Sequence, residues 1–119
     1  MNYIKKYFFL FVFQIIFFIS VSQPSKIDSL KQFISTAKED TNKVNALNAL
    51  SWKLIITGEY NQAMEKVKTS LSLADTIKYK KGKAVALNNI GVIFWNQGNY
   101  PEALNNYFSS LKIREEIGD

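Results

Sequence analysis

The chain of 119 residues contains no cysteine and no histidine. It can form no disulfide, offer no thiol nucleophile and build no zinc site from Cys or His ligands. The absence of histidine also removes the commonest general base, and much of ordinary enzyme chemistry goes with it. A cysteine-free chain is compatible with an oxidising compartment. Five glycines and two prolines are few, which disfavours long loops and turn-rich β folds. Acidic residues number ten against fifteen Lys and Arg, giving a net charge of +5. Apolar residues make up 47% and charged residues 21%, a globular rather than disordered composition, and the length suits one small domain.

The first segment reads as an address. Met1 to Lys6 hold two lysines and no acid, and Tyr7 to Val21 hold one strongly polar side chain, Gln14. Ser20-Val21-Ser22-Gln23-Pro24 follows, with small residues where a signal peptidase reads. A basic start, a short apolar run and small residues predict a signal peptide over 1–22, cut after Ser22. The alternative is a membrane anchor through 7–21, although this run is shorter than the ~20 apolar residues a spanning helix wants. Subtracting Lys5 and Lys6 leaves +3, a weak basic balance that gives no reason to expect nucleic acid.

Everything beyond is predicted to be helix. Ile27, Leu30, Ile34 and Ala37 fall at helical spacing, forming a leading amphipathic helix that ends near Asp40, within 23–43. Thr41 and Asn42 are candidate N-caps for a second helix, whose stripe is Val44, Leu47, Leu50, Leu54 and Ile55 and whose stop is Gly58. A third helix is expected over 60–77. Lys78 to Lys83, with Gly82, reads as a basic connector. A fourth helix is expected over 83–96, and a fifth from Tyr100-Pro101 to about Ile117, since Pro suits a first helical turn.

These helices repeat. Val44-x-x-Leu47-x-x-Leu50-Ser51-x-x-Leu54 aligns with Ala84-x-x-Leu87-x-x-Ile90-Gly91-x-x-Phe94. Gly58-Glu59-Tyr60-x-x-Ala63 aligns with Gly98-Asn99-Tyr100-x-x-Ala103, and Ser70-Leu71-x-Leu73 with Ser110-Leu111-x-Ile113. The offset is 40 residues each time, and two helices per fixed period mark an α-solenoid. Gly91, Ser51, Ala63 and Ala103 are expected to be small because paired helices approach closely there. Tyr60 and Tyr100 are expected to fill space beside the turns, and Gly58 and Gly98 to take the left-handed conformation that ends a helix. All of these are assigned structural roles.

The stretch Leu87-Asn88-Asn89-Ile90-Gly91-Val92-Ile93-Phe94, with Gly98-Asn99-Tyr100-Pro101-Glu102-Ala103-Leu104, closely resembles a tetratricopeptide repeat. That family's signature falls here on Ile90-Gly91, Phe94, Gly98-Asn99-Tyr100 and Ala103, with Tyr107 and Ser110 at its second-helix aromatic and small positions. The first repeat is more degenerate, since Ser51 replaces the Gly and Val67 the aromatic. The 40-residue period resembles the longer form found in kinesin light chain and in bacterial periplasmic signalling proteins. The resemblance implies an all-α fold of antiparallel helix hairpins stacked as a right-handed solenoid, with repeat 1 over 44–83 and repeat 2 over 84–119. Two repeats are fewer than the roughly three such arrays need, and the last helix carries apolar Leu104, Tyr107, Phe108 and Leu111. The chain therefore reads either as a fragment of a longer protein or as an open end that pairs with a partner.

In this family the first helix of each pair lines a groove. That placement implies a partner-binding surface of Asn45, Asn48, Trp52 and Ile55 from repeat 1, with Val85, Asn88, Asn89, Val92 and Trp95 from repeat 2. Amides would bond a peptide backbone and rings would bury its apolar side chains. Trp52 and Trp95 are left open between groove and core, whereas Asn48 and Asn88 are expected to face the groove. The family's carboxylate clamp is not expected, because only Asn89 matches it and Ala49 stands at the corresponding place in repeat 1. Lys78, Lys80, Lys81 and Lys83 read as a solvated loop rather than a nucleic-acid patch. Carboxylates are scattered, no Gly-rich phosphate loop is present, and no cofactor, metal or catalytic constellation is expected. The expected function is an exported scaffold that binds a protein or peptide. The alternative is the N-terminal sensory part of a longer signalling protein with a kinase, cyclase or regulator output.

Overall fold

The computed structural model describes residues 3–8 and 25–119. The expected signal segment over 1–22 lies outside them, apart from the exposed helical stretch 3–8. Among the described residues no helix is long and apolar enough to cross a membrane. From Ser25 onward these residues form an all-α fold: α1 Lys26–Thr36, α2 Thr41–Ile56, α3 Tyr60–Thr76, α4 Lys80–Asn96 and α5 Tyr100–Glu116. Each helix packs on its neighbour in sequence, and α2 also touches α4, so the hairpins stack.

The caps explain where the helices begin. Ser25 Oγ accepts the Asp28 N–H at 3.1 Å and opens α1. This helix stops at Thr36, earlier than the expected Asp40, because Ala37 is already extended. Asp40, not Thr41 or Asn42, caps α2. Its carboxylate accepts from Asn42 N at 2.9 Å and Lys43 N at 3.1 Å, which satisfies two otherwise orphan donors.

The turns are repeated with the same register. After α2, Gly58 sits at φ 81°, its N–H donating to Ile55 and that of Glu59 to Leu54. After α4, Gly98 at φ 79° and Asn99 do the same toward Trp95 and Phe94. The turn after α3 has the same form on a non-glycine residue: Lys78 is left-handed at φ 58°, and Tyr79 donates to Ala74 at 2.8 Å. One left-handed residue thus reverses the chain in three positions. It also corrects the expected connector at 78–83, since Lys80 to Lys83 are the first turn of α4. Gly82 is there for packing rather than for a loop. A Cβ on it would lie 2.5 Å from the Tyr79 ring and 2.6 Å from Val44.

The core sits between α2, α3 and α4. Leu50, Leu54, Ile55, Ala63, Val67, Ala86, Ile90 and Ile93 form one buried cluster, with Ile27, Leu30 and Ile34 of α1 packed against it. Val44, Leu73 and Ala74 form a second, under Ile77 and Tyr79. The small residues lie where helices come closest, as expected. Ser51 Oγ donates to the Ala63 carbonyl at 3.1 Å. At the equivalent point of the next hairpin, a Cβ on Gly91 would be 3.2 Å from the Ala103 carbonyl and 2.6 Å from the Tyr107 ring. The first hairpin has Val67 where the second has Tyr107. Ser51 with Val67 and Gly91 with Tyr107 are therefore two ways of filling one space, bulk on one helix being traded for bulk on the other.

Candidate functional site: an uncharged groove between α2 and α4

An open groove of about 420 Å³ runs between α2 and α4, lined by Asn45, Asn48, Ala49, Trp52, Val85, Asn88 and Asn89. None of these residues is charged. Asn45, Ala49 and Trp52 are exposed, Val85 and Asn88 are half-buried, and Asn48 and Asn89 form the floor. The Tyr79 hydroxyl donates to Asn45 Oδ1 at 3.1 Å, which leaves the Asn45 amide N–H groups directed away from that bond.

The two tryptophans, left open between groove and core by the sequence, are both exposed, Trp52 at 43% and Trp95 at 51%. Trp52 is part of the groove lining. Trp95 stands further along α4, edge-on to Tyr100 with ring centroids 4.8 Å apart at 65°. Val92 is half-buried against the core cluster.

Two expectations are corrected, the place of Ile55 and the exposure of Asn48, whereas Asn48 and Asn89 do line the groove, as its buried floor. Ile55 is buried among Leu50 and Leu54 and does not face the groove. Asn48, expected to be exposed, is only 4% accessible and spends its whole side chain on neighbouring helices. Its Nδ2 donates to the Gly82 carbonyl of α4 at 3.0 Å, and its Oδ1 accepts from Ser70 Oγ of α3 at 2.7 Å. Asn89, also 4% accessible, donates Nδ2 to the Asn48 carbonyl at 3.1 Å. The physical reason is direct contact between α2 and α4, which turns a polar stripe on α2 into an interface. Three helices are clipped together by buried amides, each satisfied, as burial requires. The equivalent hydroxyl in the second hairpin, Ser110, donates to the Ala84 carbonyl at 2.7 Å, as Ser70 does to that of Val44 at 3.2 Å.

Ser70 and Tyr79 are contributors that the sequence reading did not assign, and Ala49 was noted only as a departure from the clamp. The available signal was Ser70 and Ser110 recurring 40 residues apart on otherwise apolar faces. A hydroxyl kept at the same place in two apolar stripes has a buried acceptor to meet.

The remaining charge is distributed without a focus. Lys83 pairs with Asp75 at 2.6 Å and Lys80 with Glu116 at 3.7 Å, so two of the four lysines expected in a solvated loop are engaged with carboxylates. Among the described residues no group of three or more His, Cys, Asp or Glu stands close enough to hold a metal ion. Burial pushes the Tyr107 hydroxyl above its ordinary pKa, because an ionised phenol is poorly solvated between helices. No family model, curated protein or solved structure matches the chain.

Proposed function

We propose that this protein is a tetratricopeptide-type helical repeat that binds an extended peptide or a protein segment in the groove between α2 and α4. The observation that carries the proposal is the character of that groove: uncharged, open, floored by satisfied amides, and edged by the exposed Trp52 ring and the amides of Asn45 and Asn88. A half-exposed tryptophan beside solvated amide N–H groups offers a partner an apolar anchor and backbone hydrogen bonds together. Amides that can both donate and accept suit a peptide backbone, whose groups alternate in the same way. The absence of charge favours an internal, uncharged stretch over a chain end or an acidic motif.

The family assignment rests on the 40-residue register, on Gly58 and Gly98 at positive φ, and on the close approaches at Ser51–Ala63 and Gly91–Ala103. The stacked hairpins are taken to curve as a right-handed solenoid. We further propose that the protein acts outside the cytoplasm, from Lys5, Lys6, the apolar run to Val21 and the small residues to Ser22. N-terminal sequencing of the exported protein should begin at Gln23.

The groove is tested by selecting displayed random peptides on the protein and titrating the winners by tryptophan fluorescence. Trp52→Ala and Asn88→Ala should each weaken binding about tenfold or more while leaving the helical circular dichroism unchanged. Selected peptides that bind both variants as well as the parent would place the interaction elsewhere and sink the proposal.

A further inference from the structure

Taking the groove as the peptide site, we infer that it reads its ligand from two unlike ends: a backbone carbonyl at Asn45, whose amide Tyr79 orients, and a bulky apolar side chain about five residues away, on Trp52 and Ile56. The two ends lie on one stripe of α2. Asn45, Ala49, Trp52 and Ile56 stand at helical spacing on a single face, and all four are exposed. An amide is followed by a small residue, then a ring, then a branched aliphatic chain. Trp52 is 43% exposed and Ile56 63%. The corresponding stripe of α4 reads Val85, Asn89, Val92 and Asn96, so the stacking of hairpins does not require this order of residues.

The stripe has a direction that α4 shares. Tyr79, the residue before α4, meets Asn45, and Gly82 in the first turn of α4 meets Asn48. The two helices therefore start together and run parallel. They also end together, since the Gly58 turn and Gln97 line one cavity. Trp52 and Ile56 thus lie toward the glycine-turn end of the groove and Asn45 at the other. Ala49 between them leaves the surface of α2 open to a close approach. The helix rises about 16 Å from Asn45 to Ile56, the length of about five residues of extended chain.

Tyr79 sets what Asn45 offers. Its hydroxyl donates to Asn45 Oδ1 at 3.1 Å. Tyr79 stands outside the groove lining, so the oxygen is turned out of the groove and the Nδ2 donors are left for a ligand. The ring that does this is fixed. The Tyr79 backbone N–H donates to the Ala74 carbonyl at 2.8 Å, and its carbonyl accepts from Lys83 N at 3.0 Å. Its side chain packs on Val44, Leu73 and Ala74, and a Cβ on Gly82 would lie 2.5 Å from the ring. Gly82 therefore leaves the space in which the ring sits to aim the amide. Donors at this point take a carbonyl and turn away a peptide N–H, which fixes the phase of the bound backbone. Tyr79 acts only through Asn45 and is a positioning residue.

The test selects binders to the full chain from a displayed library of eight-residue segments of uncharged residues, and titrates the winners, fluorescein-labelled, by anisotropy. The winners should share one bulky apolar residue near one end. Ile56→Ser should weaken them about fivefold, from lost apolar burial. Asn45→Asp keeps an oxygen for Tyr79 but replaces the donors with an acceptor, and should weaken them about tenfold or more. Tyr79→Phe should weaken them about threefold and add nothing in an Asn45→Ala background, where a merely structural tyrosine would act undiminished. Asn45 and Ile56 are exposed and Phe keeps the Tyr79 ring, so the variants should retain the parent's circular dichroism. Winners that bind Asn45→Asp as tightly as the parent, that share no apolar position, or that lose equally to Tyr79→Phe in both backgrounds would overturn the inference. If those same winners are still weakened by Trp52→Ala, the groove itself stands as the site. A library that yields no winner would remove the groove reading and this one with it.

Discussion

Exchanging the two packing solutions of the hairpins gives a direct test of the repeat. Gly91→Ser introduces a Cβ that meets the Tyr107 ring at 2.6 Å and the Ala103 carbonyl at 3.2 Å. Overpacking of this kind costs about 1–3 kcal/mol, and glycine's poor helix propensity returns at most about 1 kcal/mol of it. The net loss should be about 1–2 kcal/mol, a fall in Tm of roughly 5–15 °C for a domain of this size. Tyr107→Val alone should also destabilise, since it leaves the ring's space empty beside Gly91. The double variant Gly91→Ser with Tyr107→Val rebuilds the Ser51–Val67 pair in the second hairpin. The introduced hydroxyl gains the Ala103 carbonyl as Ser51 has that of Ala63 at 3.1 Å. The double variant should therefore recover most of the loss, with a coupling of at least ~1 kcal/mol in a double-mutant cycle followed by thermal circular dichroism. Additive single effects would refute the idea that the two hairpins fill one space in two ways.

Two further outcomes follow from the buried network and from Tyr107. Asn48→Ala removes the donor to the Gly82 carbonyl and the nearer of the two acceptors of the Ser70 hydroxyl, leaving that of Val44, and should cost about 1–3 kcal/mol in urea unfolding; a groove-facing Asn48 would cost almost nothing. The raised pKa of Tyr107 means that the folded state holds this proton more tightly than the unfolded chain. Its contribution is complete below the unfolded value near 10 and is lost as pH rises above it. Stability should fall above about pH 10, and less steeply in Tyr107→Phe than in the parent; equal slopes would show that other groups control the alkaline loss.

How far the fold was legible depended on what kind of signal each residue gives. The five helices were readable because apolar spacing and left-handed glycines act over a few neighbours, and Gly58 and Gly98 ended α2 and α4 where expected. The start of α4 was misread for the same reason. Lys78 takes the left-handed turn without being glycine, and Gly82, which looked like a loop residue, answers to Val44 across the fold. A distant neighbour leaves no local trace. The boundary at Asp40 was missed by one residue because four adjacent polar residues, Glu39 to Asn42, all suit a cap, and only the carboxylate distances single out Asp40.

The groove residues show where a helical wheel stops being informative. Asn45, Asn48 and Trp52 lie three and four residues apart on one side of α2, so the pattern gives them a common face. In the fold that face is divided along its length. Asn48 lies against α4 and is consumed as a clip, whereas Asn45 and Trp52 flank the contact and stay accessible. In the second hairpin Asn88 is not consumed, because no helix lies beyond α5 among the described residues to supply the matching carbonyl. One residue type at one repeat position is therefore a structural clip in the first hairpin and an available amide in the second. What separates the two is the presence of the next helix, a fact about packing that neither asparagine carries in its own sequence neighbourhood.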